Sequence, residues 1–292
     1  MTSSFQASLI QFSPRLLEPE HNLSAMSALA ASEARSGSRL IVFPELSNTG
    51  YVDPISPGLP YGARIDNDRG YALQLYEAAE PAQGGPGIRM LCDIARRHDA
   101  YLVAGLALRH PKLAGVMHNS SVLVGPEGVV GIYHKMHRWH MEKLYFVPGD
   151  SISTWQTGLG CIGMQICYDI RFPEITRIMA LQGAEIITSA WASATPEDTP
   201  LADPDLFLHR AYTRAVENGV FFLSCNRAGD QGSFHFLGRS LIVAPDGKVL
   251  AKSGTDGEDL VRADLDLSAV ARYRASTGIF TDRREDIYRR YV

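Results

Sequence analysis

The sequence predicts an α/β chain folded as a four-layer α-β-β-α sandwich with two pseudo-symmetric halves, and three observations lead there. Short apolar runs alternate with helical stretches along the 292 residues. The order strand, helix, strand, helix, strand, hairpin occurs twice. The two hairpins, VLVGPEGVV (122–130) and LIVAPDGKV (241–249), match in hydrophobic pattern and in turn chemistry. Strands that follow helices predict mixed sheets with helices on one face. Two such layers with apolar bare faces pack sheet on sheet.

In the first half, FQASLIQF (5–12) reads as a strand, and a helical stretch runs from about His21 to Ser36. RLIVFPEL is a strand ending at Glu45. Gly87 to Arg97 is helical, with Ile88, Leu91, Cys92 and Ala95 on one face, and YLVAGLAL (101–108) is the next strand. VLVGPEGVVGIYHK (122–135) is a hairpin turned at Pro126-Glu127-Gly128. In the second half, 160–166 is a buried strand and 173–182 a helix. Pro173 suits that helix's first turn, and Ile175, Ile178, Met179 and Leu181 give it an apolar face. AEIITSAW (184–191) is a strand. Residues 204–217 are a helix with Asp203 as N-cap, Pro204 at its first position and Gly219 past its end. VFFLSCNR (220–227) is a strand, and LIVAPDGKVLAKSG (241–254) a hairpin turned at Pro245-Asp246-Gly247.

Residues 53–83, rich in Pro, Gly and Asp, are too long for a simple connector and predict a loop over the site. All 292 residues read as one domain. From about residue 266 the chain becomes a charged, aromatic tail with little core periodicity. It reads either as a surface tail or as an arm packing on a partner subunit.

Composition excludes several classes. Hydrophobic content of 45% and charged content of 21% are those of a globular protein with a sizeable core. A net charge of −4 and no basic tract interleaved with aromatics argue against a nucleic-acid partner. No stretch approaches eighteen apolar residues, and MTSSFQASLIQFSP lacks the plan of a signal peptide, so no membrane role is expected. Four cysteines, without metal-ligand spacing, are too sparse for a disulfide scaffold, which fits a reducing cytoplasm.

Cys167 carries the most chemical information. It stands where a strand stops and a helix begins, near backbone N–H groups that favour a thiolate and can hold an oxyanion. The competing reading is an inert, buried thiol. Two more reactive groups fall at strand ends, Glu45 and Lys135. In mixed sheets active sites gather there. A carboxylate to take the thiol proton, an ammonium to stabilise negative charge and a thiol to attack form a coherent machine. Singly, Glu45 also reads as a loop cap and Lys135 as one surface lysine among many. Gly158, Gly160 and Gly163 spell GxGxxG but enter a strand rather than open a helix, which rules out a dinucleotide loop. His134, His137 and His140 drift around any helix and lack a carboxylate partner, so no metal is expected. Met90, Leu91 and Ile94 are a core face. No cofactor is implied.

FPELSNTGY (43–51), HKMHRWHMEKLYFVPGD (134–150) and CYDIRFPE (167–174) resemble, in order, the three signature segments of the nitrilase, or carbon–nitrogen hydrolase, superfamily. HNSSVLVGPEG (118–128) and RAYTRAVENGVFFLSCNRAG (210–229) extend the resemblance over about residues 5–265. It implies that Glu45 is the general base, Lys135 the oxyanion-holding cation and Cys167 the nucleophile. Glu142 matches the second glutamate of the amidase-like branches; read alone, it is a helix-surface carboxylate beside Lys143. The resemblance places the backbone N–H of Tyr168 in the oxyanion hole, puts Tyr51 and Trp191 in the pocket wall, and implies a homodimer or higher homo-oligomer. Asp169, Arg171 and Glu174 read as ion pairs fixing the elbow.

The expected function is therefore hydrolysis of a small-molecule amide-type substrate, a primary amide or an N-carbamoyl compound, through a thioester. True nitrilases typically carry Trp-Glu after the nucleophile, where this chain has Tyr168-Asp169, so nitrile hydrolysis is the runner-up. Carbamoylases for D-amino acids usually carry paired arginines where Ile170-Arg171 stand, which weakens that assignment. A catalytically idle binding protein is the remaining class, against which the intact Glu45, Lys135 and Cys167 argue.

Overall fold

Runs of buried aliphatic and aromatic residues, interrupted at turn residues, set the strands of the computed structural model, which describes residues 4–51, 69–196, 205–232 and 234–291. The first half runs β1 (Ser4–Gln11), α1 (Pro19–Arg35), β2 (Ser38–Val42), α2 (Arg69–Ala78), β3 (Glu80–Pro81), α3 (Pro86–His98), β4 (Tyr101–Arg109), β5 (Met117–Gly125) and β6 (Gly128–His134). Then come α4 (Glu142–Tyr145) and β7 (Thr154–Thr157). The second half runs β8 (Gly160–Ile166), α5 (Pro173–Leu181), β9 (Ile186–Trp191), β10 (Ala194–Pro196), α6 (Leu206–Asn218) and β11 (Phe221–Asn226). It continues through β12 (Asp230–Gln231), β13 (Phe234–Phe236), β14 (Leu241–Val243) and β15 (Val249–Lys252). The chain closes with β16 (Asp259–Asp266), α7 (Ser268–Thr277) and α8 (Glu285–Tyr288).

The repeat read from the sequence is the repeat of the sheets. β1, β2 and β4 are parallel neighbours, extended by antiparallel β5 and β6; β8, β9 and β11 are parallel, extended by antiparallel β14 and β15. The strand that trails each half crosses to the other half's sheet. β7 lies antiparallel on β8, and β16 lies antiparallel on β1 from Ser4–Asp266 to Gln11–Asp259. Neither strand was expected, nor was the small sheet β10-β13-β12.

Period-two alternation assigns the faces. Leu9, Val42, Val103, Leu123, Met164 and Leu223 meet between the sheets. Ile10, Ile41 and Phe43 face outward against Met26, Ile88 and Leu91 of α1 and α3. Ile187 and Phe222 face Ile175, Met179 and Phe207 of α5 and α6. Both faces of each sheet are therefore apolar, which gives the four layers α-β-β-α.

Several expectations need correcting. The strand RLIVFPEL leaves its ladder after Val42, because Pro44 has no N–H to pair. On α5, Ile175 and Met179 turn inward at i, i+4, whereas Ile178 and Leu181 fall outside that stripe and are exposed. α6 begins at Leu206 with Asp205 at the N-cap position; Asp203 and Pro204 lie outside the described residues. Of the expected 53–83 loop, 53–68 lies outside the described residues, and the rest forms α2, β3 and the approach to α3. The tail is not free of core contact. Val270 of α7 joins the cluster between the sheets, and Arg274 donates to Gly219 O (3.0 Å) and Ala184 O (2.7 Å). No helix among the described residues is long and apolar enough to cross a membrane.

Candidate active site

Three strand ends supply the three reactive groups. After β2 the chain turns at Pro44, and the Glu45 backbone is held from both sheets. Gly105 N of β4 donates to Pro44 O (3.1 Å), and Glu45 N donates to Trp191 O at the end of β9 (3.4 Å). Gly105 makes the approach possible, since a Cβ there would stand 2.4 Å from Pro44 O and 2.5 Å from the Glu45 Cα. Gly105→Ala is expected to cost about 1–3 kcal/mol by overpacking and to lower turnover by displacing Glu45. Thermal unfolding reads the first effect and initial rates the second.

Lys135 follows the last residue of β6. Its N–H donates to Asn119 O (2.8 Å), and its carbonyl accepts from Gly149 N (2.9 Å). Cys167 follows the last residue of β8 and opens a 3-10 turn, Cys167–Arg171, that leads into α5. Its φ of +44° is a left-handed conformation that side-chain-bearing residues rarely adopt, so the surroundings must hold it. Asp169 does much of this. Its Oδ2 accepts from Tyr133 OH (2.7 Å) and Ile166 N (3.0 Å), and its Oδ1 from His137 N (3.0 Å).

The side chains converge on Lys135, which is buried with both of its carboxylate partners. Its Nζ donates to Glu45 Oε1 (2.6 Å) and to Glu142 Oε1 (2.7 Å). Asn119 Nδ2 also donates to Glu45 Oε1 (2.7 Å), and Tyr51 OH to Glu142 Oε1 (2.7 Å). Each carboxylate thus has one saturated oxygen. The other, Glu45 Oε2 and Glu142 Oε2, is buried without a partner. An ammonium has three donors; two are used here, which leaves one for a third oxygen. Cys167 lies within electrostatic range of all three charges, and its Sγ is 3.6 Å from Ser193 Oγ.

The charges decide the protonation states. Burial works against the Lys135 ammonium, but Glu142 and Glu45 outweigh it and hold the charge firmly. Burial pushes the Glu142 carboxyl up to about 7, against the pull of Lys135. Burial, reinforced by Glu45, pushes the Cys167 thiol up to about 12, with Lys135 opposing. Burial and Glu45 thus oppose the expected thiolate more than Lys135 favours it, so the sulfur needs a base to attack.

The structure brings Glu45, Lys135, Glu142, Tyr51 and Cys167 together. Glu142 is fully buried on the four-residue α4, which settles it as something other than a surface carboxylate. Trp191 is placed differently from the expectation. Its ring packs on Phe207 of α6 (centroids 5.1 Å apart) in the cluster beneath the helices, and it is its carbonyl that meets Glu45. Tyr168 turns its ring to Trp139 (4.6 Å) and Phe172 (5.3 Å), leaving its backbone in the turn beside Cys167. Asp169 fixes the elbow, but through the hydrogen bonds above and not through an ion pair with Arg171, which stacks over Trp139 (4.7 Å) and Tyr168 (5.3 Å); Glu174 is exposed. His134 stacks on His118 (4.0 Å), His137 on Phe172 (3.6 Å), and His140 is exposed, so the three serve separate contacts.

Sequence reasoning missed Asn119, Ser193, Arg227 and Gln231. Asn119 left a signal: it shares a strand face with Leu123, which packs between the sheets, so an amide there is buried and needs a partner.

Comparison with known proteins identifies the family. The family model for carbon-nitrogen hydrolases matches residues 6–275. A nitrilase of Pyrococcus abyssi is 34% identical over 96% of this chain and 97% of its own. Omega-amidase NIT2 of Bos taurus is 31% identical over 98% and 97%. Among solved structures, a variant of the amidase from Nesterenkonia sp. AN1, with the acetamide moiety of fluoroacetamide added covalently at its active site cysteine, superposes with a TM-score of 0.76. It is 26% identical, over 100% of this chain and 98% of its own. The chain belongs to the carbon-nitrogen hydrolase family, in the nitrilase superfamily.

Proposed function

We propose that the chain is a cysteine-dependent amidohydrolase that cleaves a linear C–N bond, in a primary amide or an N-carbamoyl compound, through a thioester. The observation that carries this is one buried ammonium held by two carboxylates, each with a free oxygen, within electrostatic range of the Cys167 sulfur. Glu45 Oε2 takes the thiol proton as sulfur attacks the carbonyl carbon. The third donor of Lys135 and the backbone N–H of Tyr168 hold the oxyanion. Glu45 then passes its proton to the leaving nitrogen, and ammonia departs from a primary amide. Glu45 next deprotonates water, which attacks the thioester carbon, and the proton returns to sulfur as the acid leaves. For an N-carbamoyl substrate the leaving nitrogen is the amine, and the S-carbamoyl group hydrolyses to carbon dioxide and ammonia.

Glu142 separates the amide reading from the nitrile one. Its free Oε2 is an acceptor, and an amide nitrogen has N–H bonds to give it, whereas a nitrile nitrogen has none. Similarity to a relative described as a nitrilase keeps nitrile hydrolysis as the second reading. Ammonia release from primary amides, N-carbamoyl amino acids, N-carbamoyl amines and nitriles tests both, with Cys167→Ala as the blank. Cysteine-dependent turnover of amides or carbamoyl compounds is expected; turnover of nitriles alone would overturn the proposal.

Tyr51→Phe removes a donor from Glu142 that favours its charged form. Its kcat/KM is expected to fall by about tenfold, as for a hydrogen bond to a charged group. Wild-type activity is expected to fall as pH drops through the range where the Glu142 carboxyl takes a proton. The variant's acid limb is expected at higher pH, because the carboxylate has lost a stabilising contact.

A further inference from the structure

Arg227 has no part in that chemistry, yet it is among the largest fully buried side chains. Among the described residues no carboxylate oxygen lies within ion-pairing distance of it. Its guanidinium sits over the Phe236 ring, 3.8 Å from the centroid, and donates from Nη2 to Pro14 O (3.0 Å) and from Nη1 to Gln231 Oε1 (2.7 Å). A buried, unpaired cation is costly, so a function for it is worth seeking.

Gln231 points to one. Its Oε1 also accepts from Tyr51 N (3.1 Å), and its Nε2 donates to Tyr51 O (2.6 Å). One side-chain amide therefore grips both polar groups of the Tyr51 backbone, as a paired strand would. A primary amide can be placed in two orientations. Only one fits here, because the donating guanidinium requires Oε1 on its side and leaves Nε2 for the Tyr51 carbonyl. The same Phe236 that lies under Arg227 meets the Tyr51 ring edge-on (6.0 Å). Backbone and ring of Tyr51 are thus both fixed, and its OH reaches Glu142. At Gly50, a Cβ would come 3.1 Å from Gln231 Oε1 and 2.9 Å from the Leu16 Cα, so the clamp closes tightly on this segment.

We propose that Arg227 and Gln231 are positioning residues of the active site, with Arg227 orienting the Gln231 amide, which clamps Tyr51 and so aims its hydroxyl at Glu142. Charge supports the same assignment. When Glu45 and Glu142 are both ionised, Lys135 alone leaves one negative charge in excess; the Arg227 cation, within electrostatic range of Glu45, offsets it. Among the described residues the groups that face Glu142 are Lys135, Glu45 and Tyr51, with the Cys167 thiol also within range.

The test is a double-mutant cycle with two readouts: the pH profile of kcat/KM, which rests on the proposed amidohydrolase activity, and the pH profile of Cys167 alkylation by iodoacetamide, which does not. Gln231→Ala is expected to lower kcat/KM about tenfold and to move the acid limb upward, as Tyr51→Phe does. Combining the two is expected to cost little more than Tyr51→Phe alone, because the clamp acts through the hydroxyl. Arg227→Lys keeps the charge but loses the fork, and is expected to fall between wild type and Gln231→Ala in both profiles. If Arg227→Lys fails to fold, the Gln231→Ala cycle decides. Additive losses, or a lowered Tm with neither profile displaced, would overturn the proposal. If no amide is turned over, displaced alkylation profiles still support the clamp and unmoved ones reject it, so its failure is distinguishable from failure of the functional reading.

Discussion

Glu45→Gln is expected to lower kcat/KM by about 10²–10⁴-fold, the range for loss of a general base, while making the Cys167 thiol easier to ionise. The two effects point in opposite directions and so identify the role. Glutamine has nearly the shape of glutamate. Its carbonyl oxygen can still accept from Lys135 and Asn119, as Glu45 Oε1 does at 2.6 and 2.7 Å. What stands in place of Oε2 is an NH₂ group, which cannot take a proton from sulfur. Catalysis by a neutral thiol then loses its proton acceptor. The Glu45 charge is also one of the causes holding the thiol near 12, second to burial. Removing that charge lets Lys135 act on sulfur with less opposition, so the thiolate forms at lower pH. Iodoacetamide modification of Cys167 against pH is expected to show its inflection moved down, while turnover at neutral pH collapses. An unmoved inflection with full turnover would mean that another group accepts the proton.

The same physics sets what the sequence could reveal. Glu45, Lys135 and Cys167 were legible because each ends a strand whose apolar pattern is strong, and the ends of mixed sheets are where polar groups can meet. Glu142 was legible only by resemblance. Four helical residues are too few for periodicity to show that the side chain is fully buried. Trp191 was misread for a related reason: it ends β9, but its ring packs against the α5–α6 layer and only its carbonyl turns to Glu45. The clamp on Tyr51 left no local trace, since Gln231 is 180 residues away and nothing in a lone glutamine announces its partner. The crossing of β7 and β16 was hidden too. β7 is four residues long and partly exposed, and β16 carries four charged residues among its eight, so neither has the apolar run that betrays a core strand. Resting charge states were the least legible. The sequence suggests a thiolate beside an ammonium, and only the depth of burial shows that desolvation outweighs that attraction.

Lys135→Met is expected to cost stability as well as rate, and the two losses have different pH dependences. Methionine fills much of the same volume, so packing is largely kept. What disappears is, among the described residues, the only cation bonded to either Glu45 or Glu142, both fully buried. Removing one partner of a buried ion pair costs about 3–5 kcal/mol, chiefly because the other charge is left uncompensated. At this chain length that corresponds to a Tm lower by about 5–8 °C. Two facing carboxylates without a cation favour holding a proton, so their folded pKa values rise above the unfolded ones. A carboxylate raised in the folded state binds protons that the unfolded chain does not, and stability then increases as pH falls through the folded value. The deficit of the variant is therefore expected to be largest above neutral pH and to shrink toward pH 5, as thermal unfolding at a series of pH values would show. Adding Glu142→Gln removes one of the two stranded charges and is expected to restore a large part of the lost Tm. It is not expected to restore rate, because the oxyanion still lacks its donor; one such donor is worth about 10²–10³-fold, and a full charge at least that. A deficit that ignores pH and Glu142→Gln alike would mean that Lys135 stabilises the fold by its shape rather than by its charge.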